Sequence, residues 1–363
     1  MRSTGGAYYA GLDHVRALAA FLVVFWHFAH WDQGYPVPFG QASILAPLDE
    51  GHLGVSLFMT LSGYLFAKLI GERKIRYLPF LWNRGIRLIP LLAVVLYLYA
   101  AQRGLEWGPY FRLLAGGAIF PTLPNAGWSI TAEAHFYLLL PFLLAVIRPR
   151  PKFVLFLVGA SIALRLFLYF AGFDIQLLAY RTILGRFDQF ALGIAAYQMR
   201  GEVTGKRALS ALALLWGSYA VFDWMGGYYS FPTPAVWVLL PTIEGLTIAT
   251  MIAWYDRNPI QWRGMWVVRK AGEYSYSVYL LHFFVVAQAA AFVDEHVMRM
   301  PTVLHALPWG VLFFLIMVAV GHVSWRLIEE PPLRLRRPYF AEEDGETLRQ
   351  GVACDFGVRT ARL

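Results

Sequence analysis

Apolar residues in this chain run together in long stretches, and polar residues are held to the gaps between them. The first run, Leu18 to Phe28, is followed by eight or nine more of similar character. Such runs suit helices crossing a membrane, because in hydrocarbon only internal hydrogen bonds can satisfy the backbone. The pattern predicts ten spans, at about 12–30, 52–70, 88–102, 128–147, 153–172, 186–200, 207–223, 234–254, 273–293 and 307–328. Several are near the lower end of the roughly 17–25 residues that a spanning helix needs. Segment 104–127 breaks the pattern. Its apolar stretch, Leu113 to Phe120, is bounded by Pro109, Pro121 and Pro124, and it is expected to be an outer re-entrant or interfacial piece. The fold class expected is therefore an all-α integral membrane bundle over residues 1–335, followed by a polar cytoplasmic tail at 336–363.

Composition agrees. Charged residues make up 15% of the chain, against about 25% in soluble domains. Placing the N-terminus in the cytoplasm puts 23 of the Lys and Arg residues on inner segments and five on outer ones. The positive-inside rule then selects both termini inside and an even number of spans. The net charge of +8 is scattered over these short loops, which argues against a nucleic-acid partner. No small-residue cleavage site follows the first run, so it reads as a retained span. The single cysteine, Cys354, excludes a disulfide within the chain, and no residue cluster has metal-ligand spacing.

An ionisable group inside a bilayer is costly and usually faces the bundle interior, where it marks function. Arg16 and His27 lie in the first span, eleven residues apart. That is about 16 Å along a helix and nearly the same face. An imidazole there can take a proton from a hydroxyl or carry an acyl group. A lone histidine is more often bonded to a carbonyl, but Arg16 on the same face favours chemistry. Glu133, in the fourth span, falls at a depth matching His27, where a carboxylate can orient the ring; a structural glutamate held by another helix is the alternative. Ser62 and Gly63 suit close helix packing, and Ser62 lacks a nucleophile elbow. Arg84 and Arg87 share a face at the start of a helix and suit phosphate, although ordinary inner-loop charge explains them as well. Arg165 and Glu244 are expected to form a structural buried pair. Arg186, Asp188 and His282 are further candidates for substrate contact, with Trp128, Ser129 and Tyr137.

In order along the chain stand Arg16 with His27, FMTLSGYL, the Arg84/Arg87 pair, WSITAEAHFYLLLP, FDQFALG, SYSVYLLH and WRLIEEP. This ordered set, from Leu12 to Pro331, resembles the acyltransferase-3 family of integral membrane O-acyltransferases. The resemblance implies a ten-helix bundle in the bacterial inner membrane. It implies transfer of an acyl group, commonly acetyl, from cytoplasmic acyl-CoA to a hydroxyl of a sugar, such as a cell-surface polysaccharide, a lipid-linked glycan or a glycoside. Arg16 and His27 then match the family's essential arginine and histidine, and Arg84 and Arg87 its pair at the CoA phosphates. Trp128, Ser129, Glu133, Phe136 and Tyr137 match its Trp-Ser-x-x-x-Glu-x-x-Phe-Tyr stretch. Two positions depart from it: Ser56 replaces a usual aspartate, and Val15 precedes Arg16. The partners expected are acyl-CoA, a carbohydrate acceptor and membrane lipid; a homo-oligomer is compatible with all of this. The buried charges also suit a secondary transporter of organic acids or acylated products, but no pair of broken helices in repeated halves supports one.

Overall fold

The computed structural model describes residues 9–31, 45–227 and 235–340. Among these it is all α, with short 3-10 and π turns and one isolated bridge, Ile75 to Phe340. The principal helices are α1 (Ala10–Ala29), α2 (His52–Ile70), α3 (Tyr77–Gln102), α4 (Trp107–Ile119), α5 (Trp128–Ile147), α6 (Val154–Phe170), α7 (Ile183–Gln198), α8 (Gly205–Trp224), α9 (Leu240–Tyr255), α10 (Met265–Glu273), α11 (Ser275–Leu281), α12 (Val286–Phe292) and α13 (Val303–Ser324).

The chain is a multi-pass membrane protein. Six helices are long and apolar enough to span: α1, α2, α3, α5, α6 with the turn before it, and α13 with the turn after it. A seventh candidate is the bent pair Ser275–Phe284 and Val286–Val297, which meet at 65°. The expected span 273–293 is thus broken, and His282 sits in the 3-10 turn at the break. The expected spans 186–200, 207–223 and 234–254 coincide with α7, α8 and α9. None of the three meets the length and hydropathy of a span, and residue 234 lies outside the described residues. Side chains start two of them: Thr182 accepts from Gly185 N–H and Thr204 from Arg207 N–H, which satisfies amides that a helix N-terminus leaves open.

Helix α3 differs most from expectation. It begins at Tyr77 rather than 88, so Arg84 lies about two turns and Arg87 about three turns inside it. Its Pro79 falls in the first turn, where a missing N–H costs nothing. Segment 104–127 contains only the 13-residue α4. Its end is tied to α5, where Thr131 donates to Gly117 O and the His135 ring bonds Ala118 O at 3.2 Å.

Helix α2 runs through the centre. A Cβ on Gly63 would meet Phe190 O at 2.1 Å, and one on Gly193 would meet Thr60 O at 2.1 Å. The two glycines let α2 and α7 cross backbone to backbone, the packing that small residues permit in membranes. Helices α6 and α13 are peripheral and present Phe156, Phe167, Leu312 and Ile316 outward.

Several basic segments gather at one end of the bundle. Lys68 pairs with Asp256 at 2.6 Å, and Arg257 donates to Arg200 O at 2.6 Å. There the chain after α13 turns at Pro331–Leu335 and folds back over the start of α3. Residues 336–340, expected in the tail, are part of this docked strap: Arg76 N–H donates to Tyr339 O at 2.7 Å. The rest of the expected tail, 341–363, with Cys354, lies outside the described residues.

Candidate functional site

A cavity opens between α1, α2, α3, α5 and α11, and its wall carries Arg16, Arg84, Arg87 and Arg336. Helix α1 delivers Arg16, α3 delivers Arg84 and Arg87, and the strap after α13 delivers Arg336, all at the end where the basic segments gather. Arg16 is held by Asp13, one turn earlier, at 2.7 Å. Arg84 lies over Phe66, 5.1 Å from the ring centroid, a cation–π contact that fixes a guanidinium on an apolar wall. Further along the wall the lining becomes apolar, with Leu65, Leu61, Met59, Phe58 and Ile130, and is interrupted by Ser62, Glu133, Ser129 and Tyr279.

Glu133 is not the partner of His27. Its carboxylate accepts from Tyr137 Oη one turn on, and from Ser62 Oγ at 3.4 Å. Tyr137 thus joins the site through Glu133. Ser129 Oγ is within 2.9 Å of Tyr279 Oη, and both bond Ala126 O, at 3.0 and 3.2 Å. Asn125 and Ala126 take positive φ values of 52° and 55°, uncommon for residues with a Cβ. That turn aims the carbonyl at the Ser129–Tyr279 pair.

His27 pairs instead with His282, Nδ1 to Nε2 at 3.3 Å. The tautomers follow from their other contacts. His27 Nδ1 is 2.8 Å from Val23 O and His282 Nδ1 is 3.0 Å from Val278 O. A carbonyl only accepts, so each Nδ1 carries the proton. The single His27 Nδ1–H is then shared between Val23 O and, at the longer distance, His282 Nε2, and His27 Nε2 keeps the lone pair. The two imidazoles lie one turn beyond Tyr279, outside the cavity lining. The expected match in depth between Glu133 and His27 does not hold: Gly51 and Gly54, at the start of α2, pack on Trp26 and Val23 of α1, and Ser62, which bonds Glu133, lies about two turns further along α2, at the Arg16 end of α1.

Arg186 and Asp188, expected at the substrate, lie in a closed network. Both are 0% exposed, and Glu244 is 1% exposed. Glu244 accepts from Ser56 Oγ at 2.6 Å, Tyr219 Oη at 2.6 Å and Gln189 Nε2 at 2.9 Å, and His52 lies at 3.1 Å. Arg186 donates to Ser56 Oγ at 2.6 Å and stands 3.8 Å from Glu244. The expected Arg165–Glu244 pair does not form. Arg165 pairs with Asp188 at 2.7 Å, because α6 packs on α7. Trp128 also stays off the cavity, with its ring 4.6 Å from that of Tyr180.

Three contributors were missed from the sequence: Asp13, Tyr279 and Arg336. The i, i+3 spacing of Asp13 and Arg16 was a signal for the first, and that of Tyr279 and His282 for the second. Arg336 had none, since its place depends on the fold of the strap. Among the described residues no cluster could hold a metal.

Residues 9–325 match the family model described as an acyltransferase domain, of the acyltransferase-3 type. The chain belongs to the acyltransferase-3 family. No curated protein and no solved structure matches it. As a membrane acyltransferase it needs an acyl donor and an acceptor, and its two polar sites differ in how they can serve them. The acyltransferase cavity presents cations next to apolar wall. Its histidine pair presents a basic nitrogen, His27 Nε2, from the last turn of α1, beside His282 in the 3-10 turn that follows α11. The family match stops short of the strap, which begins at Pro331.

Proposed function

We propose that this acyltransferase takes its acyl group, commonly acetyl, from acyl-CoA on the cytoplasmic side and passes it to a sugar hydroxyl of a cell-surface polysaccharide, lipid-linked glycan or glycoside. Its setting is the bacterial inner membrane, crossed by ten helices with both termini in the cytoplasm. The observation that carries the reading is the convergence of Arg16, Arg84 and Arg87 on one cavity whose far wall is apolar. Guanidinium groups suit phosphate oxygens through paired hydrogen bonds, and an apolar wall suits the pantetheine arm and acyl chain.

In this mechanism Arg84 and Arg87 hold the CoA phosphates and Arg16 steers the arm. The thioester lies past Ser129 and Tyr279, towards His27. His27 Nε2 takes the proton of the acceptor hydroxyl as its oxygen attacks the thioester carbon. The C–S bond breaks, and the CoA thiolate leaves and takes up a proton. As His27 becomes positive, its Nδ1–H bond to His282 strengthens, the part the carboxylate plays in a triad. An acyl group carried on His27 itself is the alternative route. Labelled acyl-CoA given without acceptor would mark the protein in that case only.

The test is release of free CoA by the purified protein with acetyl-CoA and a panel of glycans. Acceptor-dependent release supports the proposal. Absence of release with every acyl-CoA, together with uptake of organic acids by reconstituted vesicles, would replace it with transport.

A further inference from the structure

We propose that Arg336, brought by the strap after α13, is a fourth arginine of the donor site and binds a phosphate ester of the acyl donor together with Arg84. This rests on the acyl-CoA reading above and adds to it a residue beyond the family match.

Arg336 and Tyr339 line the same cavity as Arg84 and Arg87. The Nε atoms of Arg84 and Arg336 are both buried without a hydrogen-bond partner. The two guanidiniums also feel each other: burial first, and then the charge of Arg84, push the pKa of Arg336 down. Like charges drawn together in a partly desolvated place destabilise one another unless an anion sits between them. Carboxylates at this end are engaged elsewhere: Asp13 with Arg16, Glu133 with Tyr137, and Glu329 with Ser277.

The strap is held so that Arg336 stays there. Asn83 Nδ2 donates to Arg337 O at 2.7 Å, and Arg337 N–H donates back to Asn83 Oδ1 at 2.9 Å. Trp82 Nε1 donates to Leu335 O at 3.0 Å. Tyr339 is buried, its ring 5.7 Å from that of Phe80. Asn83 directly precedes Arg84, so the strap is fastened to the turn of α3 that carries the phosphate-binding pair. This geometry fixes one cation against another, which is what recognition of a polyanion requires.

The same phosphate chemistry is found in an anionic lipid headgroup, so the test separates the two. Binding of CoA, 3′-dephospho-CoA and pantetheine to the full purified chain is measured for wild type, Arg336→Gln and Arg336→Lys. Arg334→Gln, in an exposed neighbour on the strap, is the control. Arg336→Gln is expected to weaken CoA binding on the order of tenfold, and to raise the KM for acyl-CoA with kcat retained. Pantetheine binding should not change. Arg336→Lys should recover part of the loss, and Arg334→Gln should match wild type. Should Arg336→Gln fail to purify, Arg336→Lys decides: weaker discrimination between CoA and pantetheine supports the role, and wild-type discrimination overturns it. If wild type binds CoA and Arg336→Gln binds it equally well, the role of Arg336 is lost and the donor reading stands. If wild type binds no CoA, the donor reading falls as well. Unchanged CoA affinity with reduced retention of phosphatidylglycerol would assign Arg336 to lipid instead.

Discussion

The Glu244–Arg186 network and the arginine-lined cavity both place charge inside an apolar bundle, but they spend it differently. In the network, between α2, α7, α8 and α9, a carboxylate is surrounded by Ser56, Tyr219, Gln189, His52 and Arg186. Beside it Arg165 and Asp188 close on each other. In the cavity four arginines face one space; a buried Nε without a partner occurs there on Arg84 and Arg336, and beside the network on Arg165, whose other guanidinium nitrogens are taken up by Asp188, Thr242 and Gly185 O. A charge within a membrane marks function by default. Here the distinction lies in whether the charges satisfy one another, and Arg186 and Asp188 are buried among partners that do so.

The largest effect should come from His27. His27→Ala removes the proposed base, and turnover should fall by about 10²–10⁴-fold while the melting temperature holds. Acyl transfer at the wild-type rate would put the base elsewhere. Next is the network. Asp188→Ala leaves Arg165 buried and unpaired, at a cost of about 3–5 kcal/mol, seen as a lower melting temperature and poorer yield. Replacing both partners, Arg165→Met with Asp188→Leu, should restore most of it. If Asp188→Ala instead spares stability and stops transfer, the comparison between the two regions breaks.

Smaller changes are expected in the cavity. Arg84→Gln or Arg87→Gln should each weaken acyl-CoA binding about tenfold or more, read as a higher KM with little change in stability. Glu133→Gln should be mildest. Its amide oxygen can still accept from Tyr137 and Ser62, so transfer should change only a few-fold, corresponding to about 1 kcal/mol. A loss equal to that of His27→Ala would restore the carboxylate–histidine pairing that the geometry replaces with His282.

Much of the site was legible one helix at a time. Arg16 and Asp13, Arg84 and Arg87, and Tyr279 and His282 share faces through i, i+3 spacing, a property of a single helix. The partners across helices were not legible. Depth counted from expected span ends set Glu133 beside His27, whereas the packing of α2 on α1 sets Glu133 and Ser62 at the Arg16 end of α1. The extension of α3 back to Tyr77 was hidden for a related reason. The polar run through Asn83 reads as a loop until the strap satisfies its amide.

The sequence by itself determined the apolar helices, the segregation of basic segments and the residue types that can bind phosphate or move a proton. Hydropathy is local, and the bilayer imposes it on each helix independently. Only the tertiary structure decided that His27 meets His282 across 255 residues, that Arg165 closes on Asp188, and that the strap brings Arg336 to Arg84. Those pairings depend on how each helix is rotated and which neighbour it packs against. Close approaches such as Gly63 on Phe190 set this, and no single apolar run encodes it.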